Sequence, residues 1–310
     1  MQNKETRGGF GMTEAYARTD LAMESCSAAG DRLRGVEQTT RRSAGCTVHR
    51  VRVTSSEAAV VLGKPIGTYI TVDCGQIHRF DRERAGEVAH LLAGELRGMT
   101  CSLTGRLPGV GLGVFVAGLG NAKLTADAVG PGTVDRLTAT RHLQEHESAL
   151  FRALGCSALS ALSPGVLGQT GIETLELLRG AVRSVRPNLV VVVDALAARS
   201  CSRLASTVQI SDSGIVPGSG VGNHRTAITS ETLGVPVIAL GVPTVVNSST
   251  LVWDALKEAH IEEVSDELQA VLENGKSFFV SPKESDLISD AVSGLLADAI
   301  SEAFVGEMLF

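Results

Sequence analysis

Short apolar runs alternate along this chain with longer amphipathic stretches. The runs "VHRVRV" (48–53) and "GTYITVDC" (67–74) are rich in β-branched residues and are predicted strands, whereas "DRERAGEVAHLLAGELRGMT" (81–100) carries its apolar residues at helical spacing. "LGVFVAGLGN" (112–121) reads as a buried strand that breaks at Gly118 and Gly120. A helix is predicted over 124–143, with Thr125 as N-cap and an interruption at Gly130-Pro131-Gly132. A helix around 170–186, a strand at 189–194, a buried strand in "GVPVIALGVPT" (234–244) and a helix over 247–260 continue the alternation. The last helix is predicted to begin at Ser281-Pro282-Lys283-Glu284, where Ser and Glu have capping-box spacing and Pro takes the first helical position. Residues 25–48 show no sustained apolar period and read as a mobile insert after a polar N-terminal extension.

Apolar strands alternating with helices imply an α/β fold with a mostly parallel, twisted sheet covered on both faces, and in such folds ligands bind outside the carboxyl ends of the strands. Asp194 sits at one such end, directly after Val190–Val193. A bare carboxylate on apolar residues costs on the order of several kcal/mol unless it is paired, solvated or protonated. Asp127 lies a few residues beyond another strand end, after the Gly118-Leu119-Gly120-Asn121 turn. Spacing leaves two readings open. Each aspartate caps a helix by accepting backbone N–H bonds, or the two face one another and hold one proton between them. In the second case the protonated member polarises a carbonyl while the ionised one takes a proton from water.

Composition narrows the class. The 310 residues are 44% hydrophobic and 20% charged, with 34 glycines and 4% aromatics, a balance that suits a soluble, glycine-turned α/β protein. The shortage of aromatics argues against base stacking on single-stranded nucleic acid. The net charge of −6 argues against a polyanion as main partner. Six cysteines (Cys26, Cys46, Cys74, Cys101, Cys156, Cys201) lie far apart with no CxxC, so buried, reduced thiols are expected, with neither a cysteine-built zinc site nor a disulfide framework. The N-terminus lacks the apolar core of a secretory signal, and no run reaches the roughly 18 residues of a membrane span, so a cytoplasmic location is expected.

Several other motifs compete for attention. The loop "SGIVPGSGVGNHR" (213–225) offers backbone N–H groups to an anion or a peptide carbonyl, but does not open a helix as a dinucleotide fingerprint does. "AVLENGKS" (270–277) ends in Gly275-Lys276-Ser277 like a phosphate loop, yet Ala270 replaces the first glycine and no strong strand precedes it. "HLQEH" (142–146) is an inverted zinc motif, with His142 and His146 one helical turn apart and Glu145 as base; its polar surroundings and missing third ligand favour a solvated helix face. Cys201, near Arg199, is a candidate thiolate, although no histidine lies close in sequence. There is no GxSxG elbow.

Taken together, "YARTDLAMES" (16–25), "GKPIGTYITVD" (63–73), "VFVAGLGNAKLTADAVGP" (114–131), "LSPGVLGQTGIETLE" (162–176), "VVVVDALAARS" (190–200), "QISDSGIVPGSGVGNHR" (209–225), "ETLGVPVIALGVPTVV" (231–246) and "FFVSPKESD" (278–286) resemble the germination proteases of spore-forming bacteria over most of the chain. The resemblance implies a single-domain α/β fold like that of hydrogenase maturation proteases. It implies an endopeptidase that degrades small acid-soluble spore proteins in the forespore and spore core, without a cofactor, assembled as a homotetramer and not bound to membrane or directly to nucleic acid. It further implies a zymogen that removes its own propeptide, so that residues 1–15 are propeptide and 16–310 the peptidase domain. The family's two proposed catalytic aspartates fall on Asp127 and Asp194. Alignment of Arg18-Thr19-Asp20-Leu21-Ala22 puts the cleavage junction at Ala15–Tyr16, and "TEAYA" (13–17) looks like the family's substrate motif with Ala15 intervening. Two alternatives stand beside this reading: the same carboxylates as metal ligands, and a non-catalytic module that binds spore proteins. Ala126 departs from the family, which has Pro before the first aspartate, as does the length of 25–48.

Overall fold

The computed structural model describes residues 19–29, 33–218, 225–261, 264–274 and 278–306. Its strands are β1 (Val36–Ser43), β2 (Cys46–Val53), β3 (Gly67–Asp73), β4 (Gly113–Gly118), β5 (Ala158–Leu162), β6 (Leu189–Ala198), β7 (Thr207–Ser211), β8 (Val237–Asn247) and β9 (Phe279–Val280). They form one sheet in the order β1-β2-β3-β7-β8-β6-β4-β5, with β9 added to the end of β8. Parallel pairing runs through β5-β4-β6-β8, whereas β1, β2, β3 and β7 pair antiparallel. The division follows the connections. β1 and β2 are joined by the two-residue turn Ala44-Gly45, both at positive φ (46° and 61°), the geometry that matches strand twist in a hairpin. Parallel neighbours need a longer crossover.

The main packing helices are α1 (Ala22–Ala29), α2 (Ser56–Leu62), α3 (Arg82–Thr104), α4 (Val129–Val134), α5 (Thr174–Val185) and α6 (Ser285–Phe304). Alternate residues of each central strand serve opposite faces, as the two-residue period requires. Val114, Val116, Val191 and Val193 meet α3, α4 and α6 on one face, while Phe115, Ala117, Val190 and Val192 meet α5 on the other. Helices therefore cover both faces of the parallel half, as predicted.

Four expectations are corrected. The segment 25–48 is largely regular: it includes the end of α1, all of β1 and the start of β2. β1 is an edge strand with almost every side chain exposed, so it has pairing without an apolar alternation to announce it. The helix predicted to break at Gly130-Pro131-Gly132 runs through them, because Pro131 falls in the first turn of α4, where its missing N–H has no intrahelical partner to lose. Thr125 caps nothing; it begins a 3-10 turn, Thr125–Asp127. The last helix starts at Ser285 rather than Ser281, with no side-chain cap at Glu284 and with the Ser285 hydroxyl donating back to the Pro282 carbonyl.

Candidate active site

The two aspartates read from strand ends meet in one cleft. β4 stops at Gly118, and the Leu119 N–H makes a last bond to the Val193 carbonyl (2.8 Å). β6 continues to Ala198, so beyond Val193 one edge of it has no strand partner among the described residues. Asp194 and Ala195–Ala197 line a cleft of about 330 Å³ along that edge, together with Gly120, Asp127, Thr244 and Arg225.

Close backbone approach sets the position of Asp127. A Cβ at Gly118 would fall 2.2 Å from the Gly130 carbonyl oxygen, and one at Gly130 would fall 2.2 Å from that of Leu119 and 2.6 Å from that of Val193. Only glycine lets the start of α4 rest on the ends of β4 and β6. Gly120, at φ +111°, turns the chain so that the Asn121 N–H donates to Asp127 Oδ2 (2.8 Å). The Thr244 hydroxyl, buried on β8, donates to the Ala126 carbonyl (2.6 Å). This bond fastens the turn that carries Asp127.

Asp194 is 6% exposed, and its Oδ1 accepts the N–H of Ala195 (3.0 Å). Burial pushes its carboxyl well above the ordinary aspartate range; the negative charges of Asp127 and Asp20 push the same way, and the Ala195 bond and Arg225 oppose them. Asp127 is also raised, by burial, against the Asn121 N–H and Arg225. Neither forms an ion pair with a described arginine. Burial and the neighbouring carboxylates thus favour the protonated form of the deeper carboxyl. A protonated acid beside a more accessible carboxylate can carry out paired acid–base chemistry on a carbonyl and a water.

Of the remaining candidates, the Gly-rich loop reaches this cleft through Pro217, Gly218 and Arg225, and the others fall outside it. His142 and His146 are exposed on a short helix, where Glu145 pairs with Arg141 (2.7 Å). Among the described residues no group of three or more His, Cys, Asp or Glu side chains is gathered to hold a metal. All six cysteines are free, and burial, with Asp254 beside it, pushes the Cys201 thiol up to about 11, the opposite of an activated thiolate. Gly275-Lys276-Ser277 lie outside the described residues, and a helix (Asp266–Asn274), not a strand, leads into them. Ala15 and Tyr16 also lie outside, as do 219–224 of the Gly-rich loop. No described helix is long and apolar enough to cross a membrane. Sequence reasoning did not single out Asp20, Thr244 or Arg225 as site residues. Asp20 stands in "RTDLA", and a conspicuous acidic residue in a quoted motif was the available signal.

Fold and cleft together define an α/β protein with a pair of aspartates on one cleft at the carboxyl ends of its parallel strands. The model of the germination protease family matches residues 15–261. The chain is 38% identical to the germination protease of Caldanaerobacter subterraneus subsp. tengcongensis, over 92% of this chain and 93% of that one. It is 37% identical to that of Clostridium perfringens (94% and 96%) and 40% identical to that of Priestia megaterium (79% and 67%). The chain belongs to the germination protease family and is, at that level, a peptide-bond hydrolase of spore germination. Among solved structures it is similar to a [NiFe] hydrogenase maturation protease, HycI from Thermococcus kodakarensis, at 17% identity and a TM-score of 0.33, over 67% of this chain and 99% of that one.

Proposed function

We propose that this chain is an aspartic-type endopeptidase of small acid-soluble spore proteins, made as a zymogen that processes itself between Ala15 and Tyr16 and works as a homotetramer in the forespore. The observation that carries the mechanism is the convergence of Asp127 and Asp194 on one cleft, where burial raises the deeper carboxyl above the ordinary aspartate range. In the forward step Asp194 donates its hydrogen bond to the scissile carbonyl. Asp127, the more accessible of the two, takes a proton from the water that attacks the carbonyl carbon. Arg225 supplies positive charge on the same cleft for the tetrahedral oxyanion. Collapse of the intermediate breaks the C–N bond, and the proton gained by Asp127 passes to the leaving amine.

The test is cleavage of a purified small acid-soluble spore protein by wild type, Asp127→Asn and Asp194→Asn, with N-terminal sequencing of the enzyme. Both variants are expected to keep their circular dichroism and to lose self-processing and substrate cleavage together. Full activity in a well-folded Asp194→Asn protein would end the aspartic assignment, and activity lost to a chelator and restored by one metal would replace it with a metal-dependent one. A processed N-terminus outside residues 14–18 would remove the proposed junction.

A further inference from the structure

Residues 19–24, within the described stretch 19–29, are anchored more densely than their sequence announces. The Asp20 N–H donates to the Ala197 carbonyl (2.9 Å), and Asp20 Oδ2 accepts the Ala197 N–H (2.8 Å), so one residue engages both polar groups of a β6 residue on the strand's open edge. Gln209 of β7 donates to the Asp20 carbonyl (2.9 Å) and accepts the Ala22 N–H (2.8 Å). Lys64 Nζ donates to the Thr19 carbonyl (2.7 Å). Glu24, 4% exposed, accepts the N–H groups of Arg199 (2.8 Å) and Ser200 (3.0 Å) just past the end of β6 and faces Arg203 (3.5 Å). Asp20 lines both the main cleft and an adjoining cavity of about 170 Å³ on the Lys64 side. This anchorage holds a third carboxylate at the Asp127–Asp194 pair.

We propose that Asp20 is a positioning residue of the active site: its carboxylate, clamped on the open edge of β6, aligns the strand segment that follows Asp194 and sets a further negative charge on the cleft of the aspartate pair. The inference rests on the aspartic reading above. The charged groups around Asp194 are Asp127 from the turn after β4, Asp20 from the N-terminal segment and Arg225 from the loop after β7. Burial is the largest influence on the Asp194 carboxyl, and Asp20 adds to Asp127 in favouring its protonated form, against Arg225. On its other side Asp20 faces Lys64, which Glu24 also attracts. Asp20 lies beyond the proposed junction, so it remains in the chain before and after processing.

Asp20→Asn tests this directly, because the amide oxygen can still accept the Ala197 N–H while the charge is gone. Removing a like charge lets the pair release its proton at lower pH. The alkaline limb of kcat, measured on the full chain with a spore-protein substrate, is expected to move to lower pH with Tm unchanged. Asp20→Glu, which restores the charge, is expected to move it back toward wild type. A profile for Asp20→Asn that superimposes on wild type overturns the proposal, as does an equal shift in Asn and Glu variants, which would mark a merely structural role. The second measurement does not need catalysis: the infrared stretch of the protonated carboxyl, assigned by its loss in Asp194→Asn, is expected to titrate at lower pH in Asp20→Asn than in wild type, and an unchanged titration defeats the proposal. A wild-type chain without peptidase activity would defeat the aspartic reading instead, and the infrared titration would still decide this one.

Discussion

Gly120→Ala isolates the contribution of the Asp127 turn from general stability. An added Cβ would lie 2.0 Å from the Asp127 carbonyl oxygen and 3.0 Å from Asp127 Oδ1, whereas ordinary contact begins at 3.4 Å. The nearest atom is backbone, so the turn must retreat by more than about 1 Å in an interior packed as tightly as an organic crystal. Overpacking of this kind costs about 1–3 kcal/mol. Holding a non-glycine residue at φ +111° adds roughly another 1–3 kcal/mol. A displacement of about 1 Å at a reacting group lowers the rate by roughly a hundredfold. Thermal unfolding gives the first quantity, and kcat/KM on a spore-protein substrate gives the second. Gly105→Ala, at the C-cap of α3, is the control: φ is +66°, nothing lies within 4 Å of the added carbon, and the site is remote. It is expected to cost about 1 kcal/mol and leave kcat/KM unchanged. If Gly120→Ala loses stability but keeps wild-type kcat/KM, the Asp127 turn does not position a reacting group.

Thr244→Val removes the buried hydroxyl that donates to the Ala126 carbonyl while keeping the side chain's shape; a loss of about 1–3 kcal/mol is expected together with a lower kcat at little changed KM, and an unchanged kcat would show that this bond does not steady Asp127. The raised Asp194 carboxyl also makes stability pH-dependent. Above the ordinary aspartate value of 3.8 the unfolded chain releases this proton while the folded chain keeps it, so the contribution is present at lower pH and is lost as pH rises through the raised folded value. Tm of Asp194→Asn is therefore expected to fall less than that of wild type as pH is raised from about 4, and parallel Tm–pH curves would contradict the protonated assignment.

In the parallel half, β4, β6 and β8 were legible as continuous apolar runs, the first breaking at Gly118 and the second reaching Asp194, whereas the short β5 was not read as a strand. The 189–194 run and the Gly118–Asn121 turn led to Asp194 and Asp127 without help from the structure. The rest failed for identifiable reasons. β1 lies on an exposed edge with only its two end residues partly buried, and a strand whose side chains nearly all face water has no period to read. α4 passes through Gly130-Pro131-Gly132 because both glycines meet other elements closely, Gly130 the strand ends and Gly132 the Ser293 side chain of α6, contacts that tertiary structure supplies and local propensity does not. Asp20 reaches Ala197 across 177 positions, Gln209 reaches Asp20 across 189, and Thr244 reaches Ala126 across 118; no local pattern encodes such meetings.

These long-range contacts account for how a buried acid can be maintained at the end of an apolar strand. β8 presents Gly241 directly opposite Asp194, and a Cβ there would fall 2.7 Å from Leu196 and 2.9 Å from the Asp194 carbonyl, so β8 can draw close beneath the site. The Ala195 N–H satisfies one carboxyl oxygen without supplying a countercharge. A private arginine would have stabilised the ionised form and left the carboxyl unable to donate; the arrangement instead surrounds Asp194 with two further carboxylates and keeps the cleft's cation, Arg225, outside any ion pair with it. Burial and the two neighbouring carboxylates raise the cost of ionising Asp194, against the Ala195 N–H and Arg225, and that balance favours a protonated carboxyl at the edge of β6.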